Sequence, residues 1–333
     1  MFPIPWNFPF RKKDGTVVNV EDAISGGGGS DLPDYDSSDA GKVLSVDESG
    51  NLEWSDEVNS EIQTLTNYAN AQNNPNLFDN PWFTVNQRGF STSVSGGAYG
   101  FDRWKGVYSY DSTNKGISFA NVADWCQQVF EDSYKEFWDN TIMTMSVKYS
   151  DGSISFGTFT YKASGTGWTT IFNDEKLLAQ LSATGGIGLT AQAVCSIVAV
   201  KLELGSVSTL ASDNAPNYAT ELLKCQRYFY RLKQKEASTA IICFGYCITA
   251  TDIRYNIPLP VALRSTPTIT ASDLSKVFAI SESVTAHPSA LVYVNLIGSS
   301  AVISASVTGF TTNTMAYLAI NSVNDYIDLS ADL

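Results

Sequence analysis

The chain has 333 residues, of which 44% are hydrophobic and 12% aromatic, so it can form more than one hydrophobic core and is not a disordered polypeptide. Its 21 basic and 34 acidic residues give a formal net charge of −13. This balance argues against nucleic acid and anionic membranes as partners, since both select a basic surface, and it leaves neutral glycans as a more natural partner.

No secretory signal is recognisable at the start of the chain. The first ten residues are apolar, but prolines interrupt them and the basic residues follow them instead of preceding them. The longest weakly polar run, Thr239 to Ala250, is too short to span a bilayer as a helix. The sequence therefore predicts synthesis in the cytoplasm and, if the protein is exported, a route other than a signal peptide.

Residues 1–24 form a separate element in which large apolar side chains alternate with proline. The prolines favour an extended strand without internal hydrogen bonds. Such a peptide either docks on another component or folds onto its own domain. The glycine-rich linker at 25–30 favours docking, because it lets the peptide sit apart from the rest of the chain. The candidate docking side chains are Phe2, Ile4, Trp6, Phe8 and Phe10.

Residues 31–55 predict a small β-module, in which strands at Lys42 to Val46 and Asn51 to Trp54 flank turn residues. In residues 56–73, small or apolar side chains recur at alternating spacings of four and three residues, which is a short heptad seam. The same period also fits a single amphipathic helix packed on a neighbouring domain. The seam residues are Val58, Ile62, Leu65 and Ala69.

From 76 to 214 the chain alternates polar and apolar residues in short runs separated by Gly, Asp and Ser, which predicts a jelly-roll β-sandwich. Asn121 to Trp138 is an exception, since its apolar residues follow a helical period. A second helical period covers Tyr218 to Gln234. The alternation then resumes, so residues 217–333 predict a second, C-terminal β-domain. Its predicted strands include Ala240–Thr249, Ala290–Ile297 and Met315–Ile320. The fold class expected for the whole chain is mainly β.

Aromatic side chains in polar or glycine-rich surroundings are the candidates for glycan binding, because a sugar ring packs its C–H groups on an aromatic face. Large aromatic side chains are more often part of a core, and that alternative applies to each candidate. Trp168 is the strongest, since it follows a glycine-rich loop. The candidates are Trp168, Tyr161, Trp125, Trp138, Tyr108 and Tyr110.

No catalytic constellation is recognisable, and neither a cofactor nor a metal ion is expected. The single histidine, His287, precedes a proline in a predicted loop, and no nucleophile motif accompanies it. A glycosidase requires two carboxylates at a set separation, which a sequence does not reveal. The five cysteines are an odd number, which excludes a complete disulfide framework and predicts free thiols.

Four segments carry a resemblance: Asn76 to Gly89, Tyr99 to Trp104, Lys201 to Gly205 and Glu221 to Tyr230. In order and spacing they resemble the fibre or receptor-binding proteins of tailed bacteriophages, over roughly residues 76–265. The resemblance implies a carbohydrate-binding β-sandwich, a homotrimer organised by residues 56–73 and by the C-terminal domain, and attachment of the N-terminus to the virion.

A non-enzymatic virion fibre or spike that binds host surface glycan is the function expected from this resemblance. A polysaccharide depolymerase and a structural head or collar fibre without an essential ligand are the alternatives. Several charged or polar residues in the resembling segments are expected to form an internal network that fixes loops instead of binding a ligand. They are Asn80, Arg88, Asp102, Arg103 and Arg227.

Overall fold

The computed structural model describes residues 9–11, 17–19, 43–46, 52–55, 74–234 and 240–333. The chain divides into two compact units, residues 1–70 and 71–333. In the first unit, the described residues form two antiparallel hairpins. Their strands are β1 (Pro9–Arg11) with β2 (Val17–Asn19), and β3 (Val43–Val46) with β4 (Leu52–Ser55).

The hairpin expected near residues 42–54 is therefore confirmed as the β3–β4 pair. Most of the N-terminal peptide, the linker at 25–30 and the seam at 56–73 lie outside the described residues. This also applies to Phe2, Ile4, Trp6, Phe8, Val58, Ile62, Leu65 and Ala69. Phe10 belongs to β1, where its backbone pairs with that of Val18 in β2.

The second unit begins with an antiparallel sheet of ten strands in the order β10-β9-β14-β7-β6-β8-β13-β12-β11, with β5 pairing beside β6. The sheet curves until its two end strands, β10 and β11, meet. Their proximity is shown at Gly157 of β10, where an added Cβ would lie 2.3 Å from the carbonyl oxygen of Ile171 in β11. The strands are β5 (Ser93–Tyr99), β6 (Lys105–Asp111), β7 (Gly116–Phe119), β8 (Trp125–Gln128), β9 (Ile142–Tyr149), β10 (Ile154–Thr160), β11 (Thr169–Asn173), β12 (Leu177–Leu181), β13 (Ile187–Ala191) and β14 (Cys195–Leu204).

The inward side chains of this sheet form one core of aliphatic and aromatic residues, including Trp104, Phe119, Met145 and Leu189. Alternation along a strand decides which side chains enter it, because successive residues point to opposite faces. In β8, for example, Cys126 and Gln128 are buried, whereas Trp125 and Gln127 remain partly exposed. The outer face therefore carries a separate set of side chains.

The sequence-based prediction of one helix from Asn121 to Trp138 is wrong. The segment forms strand β8 and, after a break, the short helix α1 (Asp132–Trp138). Residues of β8 pair with both β6 and β13, and these cross-strand bonds outweigh the local helical period.

The second predicted helix is also shorter than expected. Helix α2 covers Tyr218–Gln226 and is capped by the Asn217 side chain, which accepts from the backbone N–H groups of Ala219 and Thr220. The following residues form strand β15 (Phe229–Lys233), which pairs with the last strand. Two single turns of 3₁₀-helix lie at Leu210–Ser212 and Leu274–Lys276.

The rest of the unit consists of two further antiparallel sheets that share a second core. One has the order β15-β24-β18 and the other β20-β19-β23-β16-β17-β22-β21. Tyr255, Ile303, Leu318 and Leu329 are completely buried in that core. The remaining strands are β16 (Ala240–Thr249), β17 (Asp252–Pro258), β18 (Thr268–Ala271), β19 (Val277–Ile280), β20 (Thr285–Ala286), β21 (Ala290–Ile297), β22 (Ser300–Ser306), β23 (Met315–Ile320) and β24 (Tyr326–Ser330). The protein is thus mainly β.

Candidate functional site

A groove lies on the outer face of the ten-stranded sheet, across β8, β12 and β13. Cross-strand register places Gln127 opposite Gly188 and Gly188 opposite Gln180, while Trp125 lies opposite Thr190. Trp168, at the end of the glycine-rich loop before β11, reaches over the same strands. The groove encloses about 320 Å³, a volume within the range of small-ligand sites.

Gly188 makes room for the Trp168 ring. A Cβ added at Gly188 would lie 3.1 Å from Cζ3 and 3.4 Å from Cη2 of that ring, so the indole rests against the bare backbone of β13. The Trp168 side chain is nevertheless 55% exposed. The second indole, Trp125, is half-buried and lies beside Gly97, where an added Cβ would be 3.7 Å from its Cη2. Each of the two indoles thus lies next to a glycine of the sheet.

The polar side chains of the groove are free to bind a ligand. Those of Gln127, Gln180 and Thr190 make no hydrogen bond with any residue that the structure describes. All three are partly exposed, so water satisfies them when no ligand is bound. Each amide can donate and accept hydrogen bonds at once, and so can the hydroxyl. The described lining contains no charged side chain.

This arrangement suits a neutral polyhydroxylated ligand. An indole face offers a large apolar surface for the C–H groups of a sugar, and amides match hydroxyl groups that both donate and accept. The thiol of Cys126 also lies under the groove, but burial raises its pKa well above the ordinary value for cysteine. It therefore stays protonated and is a poor nucleophile.

Three of the six sequence-predicted aromatic residues are corrected to core residues. Tyr161 is completely buried, and Tyr108 and Trp138 are 2% and 6% exposed. The hydroxyl of Tyr108 donates to the carbonyl of Trp104 at 2.7 Å, and that of Tyr161 to the carbonyl of Gly185 at 2.6 Å. The hydroxyls of Tyr108 and Tyr161 are thus already paired inside the core, and the ring of Trp138 packs edge-on against Phe130 and Tyr161, so none of the three rings belongs to the groove.

Tyr110 is half-buried outside the groove. Its ring makes edge contacts with Phe90 and Phe101, at centroid separations of 6.1 and 5.6 Å. Of the six predicted residues, the structure therefore brings together only Trp125 and Trp168. Gln127, Gln180, Thr190 and Gly188 were not predicted from the sequence. The one available signal was the position of Gln127 two residues after Trp125, because residues two apart in a strand share a face.

The polar residues of the four resembling segments form the internal network that the sequence predicted. Arg103 is 2% exposed; its Nε donates to Asp79 at 3.1 Å and its Nη2 to the carbonyl of Val129 at 2.7 Å. Its guanidinium also stacks on the Tyr228 ring, 3.5 Å from the ring centroid. The buried Asn80 side chain bonds the backbone of Val85 in both directions.

The same network connects the first sheet to the C-terminal strands. Arg227 makes two hydrogen bonds with Glu131, at 2.9 and 3.0 Å, and this pairing holds the pKa of Glu131 below its usual value. Arg88 pairs with Asp332 and stacks on the Phe229 ring, 3.6 Å from its centroid. These residues thus fix the contact between the ten-stranded sheet and the C-terminal strands.

Burial raises the pKa of Asp102, another member of this network, to about 6. Its carboxylate accepts a hydrogen bond of 2.6 Å from the backbone N–H of Gln87. The side chain of Gln87 in turn donates to the carbonyl of Phe229. Asp102 therefore supports a contact between the two sheets, not a surface site.

Other chemistry finds little support in the described part of the chain. There, no group of three or more His, Cys, Asp or Glu side chains is placed to hold a metal ion. All five cysteines are free. His287 is exposed, with Nδ1 2.9 Å from the carbonyl oxygen of Val277. None of the helices within the described ranges is both long and apolar enough to cross a membrane.

No known protein family matches the chain, and comparisons with curated proteins and with solved structures give no match.

Proposed function

We propose that the protein is a fibre or spike subunit of a tailed bacteriophage that binds a neutral glycan on the host cell surface. The resemblance of residues 76–265 to such proteins and the acidic net charge support the virion assignment. The single observation that carries the glycan assignment is the groove in which Trp125 and Trp168 lie beside unpaired amide and hydroxyl groups.

In this proposal a sugar ring stacks on Trp168, the more exposed indole, and a neighbouring sugar or a second face of the ring contacts Trp125. Gln127 and Gln180 bond the hydroxyl groups from the floor of the groove, and Thr190 bonds from its side. The indoles contribute most of the free energy, because they lose apolar surface to water on binding. The amides select orientation and stereochemistry.

The remaining architecture of the proposal follows the sequence. Residues 76–214 form a jelly roll, residues 56–73 a trimeric coiled coil, and residues 1–24 a peptide that attaches the subunit to a virion protein. The glycan-binding region then faces away from the particle. The protein is made in the host cytoplasm and functions in the virion as a homotrimer.

A depolymerase is the alternative from another class. Glycosidases act through a pair of carboxylates on either side of the scissile bond, and the described lining of the groove has none. This favours binding over cleavage at this groove. A structural fibre without an essential ligand is the second alternative, and it predicts that the two indoles can be removed without consequence.

A panel of neutral and uronate-containing oligosaccharides, measured by isothermal titration calorimetry, tests the proposal. We expect a neutral oligosaccharide to bind and Trp168→Ala to weaken it at least tenfold. Phe137→Ala is the matched control, since Phe137 is 78% exposed on α1 and outside the groove. Chromatography of the sugars after incubation detects cleavage. Shortened chains favour the depolymerase, and an absence of binding, or equal effects of both variants, contradicts the proposal.

A further inference from the structure

A second cavity lies between helices α1 and α2, apart from the groove at Trp168. It encloses about 210 Å³ and shares no lining residue with that groove. This volume is below the range of sites for drug-sized ligands, so the cavity suits a single ring and not a chain of rings. We call it the cationic cavity. The residues that decide its chemistry are Arg103, Phe130, Tyr134, Lys224, Arg227 and Tyr228.

Aromatic rings form one wall of the cationic cavity. Tyr134 stacks on Trp138, with ring centroids 5.4 Å apart and 17° between the ring planes. Phe130 packs edge-on against the same indole, at a centroid separation of 5.1 Å. Phe130 and Trp138 are buried, whereas Tyr134 is 49% exposed. The wall therefore offers an accessible apolar surface to the C–H groups of a ligand ring.

The charged residues of the lining are three cations and one carboxylate. Arg103, Lys224 and Arg227 supply the positive charges, and Asp79 supplies the negative charge. Asp79 already accepts a hydrogen bond of 3.1 Å from Nε of Arg103. The side chains of Lys224 and Arg227 are 41% and 40% exposed, so solvent and solutes reach them.

The three cations carry more N–H donors than the neighbouring carboxylates occupy. Lys224 donates to Glu221 at 2.7 Å, while Nε and Nη2 of Arg227 donate to Glu131. With these two carboxylates the cluster is neutral as a whole, so unpaired donors and not net charge select a ligand. Nη1 of Arg227 bonds no residue that the structure describes, and the buried Nη1 of Arg103 has no partner there either. Since polar groups of folded proteins are nearly always paired, this region favours a ligand that brings acceptor oxygens.

We infer that the cationic cavity binds a ring that bears one carboxylate. A carboxylate offers two acceptor oxygens and forms charge-assisted hydrogen bonds, which are stronger than those of a neutral hydroxyl group. Lys224 and Arg227 bind the carboxylate at the accessible side, and the ring lies against Tyr134. A uronate residue of a glycan and a free aromatic acid are the two sources of this chemistry. The site is separate from the groove at Trp168 and does not depend on it.

Saturation-transfer NMR of the full-length protein tests this inference with three probes: methyl glucuronide, methyl glucoside and benzoate. The glucoside has the same ring as the glucuronide but no carboxylate. We expect the glucuronide to bind at least about fivefold more tightly than the glucoside, because only the former makes charge-assisted hydrogen bonds. A preference for glucuronide over benzoate identifies the glycan source, and the reverse order identifies free acids.

The variant Lys224→Gln removes one charge from the cationic cavity but keeps an N–H donor for Glu221. It should weaken glucuronide binding about fivefold. Lys176→Gln is the matched control, since Lys176 is 36% exposed, pairs with Asp151 at 2.6 Å and lies outside the lining. Both variants change the net charge equally, so a difference between them reports the cavity alone.

Tyr134→Ala tests the aromatic wall without changing any charge, and it should also weaken glucuronide binding. Circular dichroism checks that the variants remain folded. Trp168→Ala should leave glucuronide binding unchanged, so failure of this inference and failure of the glycan groove are distinguishable. Absence of glucuronide and benzoate binding up to about 10 mM overturns the inference. Equal affinity for the glucoside, equal effects of the two lysine variants, or a loss of binding in Trp168→Ala also overturns it.

Discussion

The substitution Gly188→Ala should weaken glycan binding without destabilising the fold. Its methyl group would lie 3.1 and 3.4 Å from two carbons of the Trp168 ring, but its nearest backbone atom, the carbonyl oxygen of Cys126, is 3.8 Å away. The ring must therefore move by a few tenths of an ångström, whereas the strand need not. Glycine within a strand costs roughly 0.5–1 kcal/mol relative to alanine, which offsets the strain on the ring.

We expect the free energy of unfolding of Gly188→Ala to stay within about 1 kcal/mol of wild type. The sugar affinity should fall by roughly three- to tenfold, which corresponds to about 0.6–1.4 kcal/mol of lost stacking. Urea unfolding and calorimetry with the best neutral oligosaccharide measure the two quantities. The control is Gly167→Ala, which adds a methyl group into open space next to Trp168. Unchanged affinity in Gly188→Ala, or equal losses in both variants, would refute the described position of the ring.

The inter-sheet network yields three further predictions, each measured by urea unfolding. Arg103→Met removes a buried guanidinium and leaves Asp79 uncompensated, so it should cost about 3–5 kcal/mol. Arg227 lowers the pKa of Glu131, so the ion pair stabilises the fold above the unfolded pKa of Glu131 and this stabilisation is lost in acid. Glu131→Gln should therefore flatten the decline of the free energy of unfolding between about pH 5 and 3. Because burial raises the pKa of Asp102 to about 6, the contribution of Asp102 to the free energy of unfolding falls as pH rises from about 4 to 6, and Asp102→Asn should remove this component of the pH profile. An identical pH profile in wild type and variant contradicts either of the last two.

The β-class and most of the C-terminal strands could be predicted from sequence. Alternation of polar and apolar residues located β16, β21 and β23 with their observed bounds. Alternation reports which strand faces are buried, and this is a local property of the chain. The order of strands in the sheets is not local, so the near-closure of the first sheet could not be derived from it.

The candidate site was predictable only in part. Trp168 was identified because glycines in its loop indicated a surface position, and Trp125 was identified among other aromatic residues. Tyr108, Tyr161 and Trp138 have similar local surroundings in sequence but are buried. What separates them is the tertiary structure, which decides whether an aromatic ring of a strand, a helix or a loop faces the core or the solvent. The amides of Gln127 and Gln180 could not be associated before β8 and β12 were known to flank β13.

The meeting of β10 and β11 has a consequence for solubility. An open sheet ends in two strands whose unpaired N–H and C=O groups can recruit a strand from another molecule, which is a common start of aggregation. Here each edge shields the other, and the shielding depends on Gly157, because any larger residue would force the edges apart. In a sheet built in this way, β10 and β11 are not open to pairing with strands of neighbouring molecules.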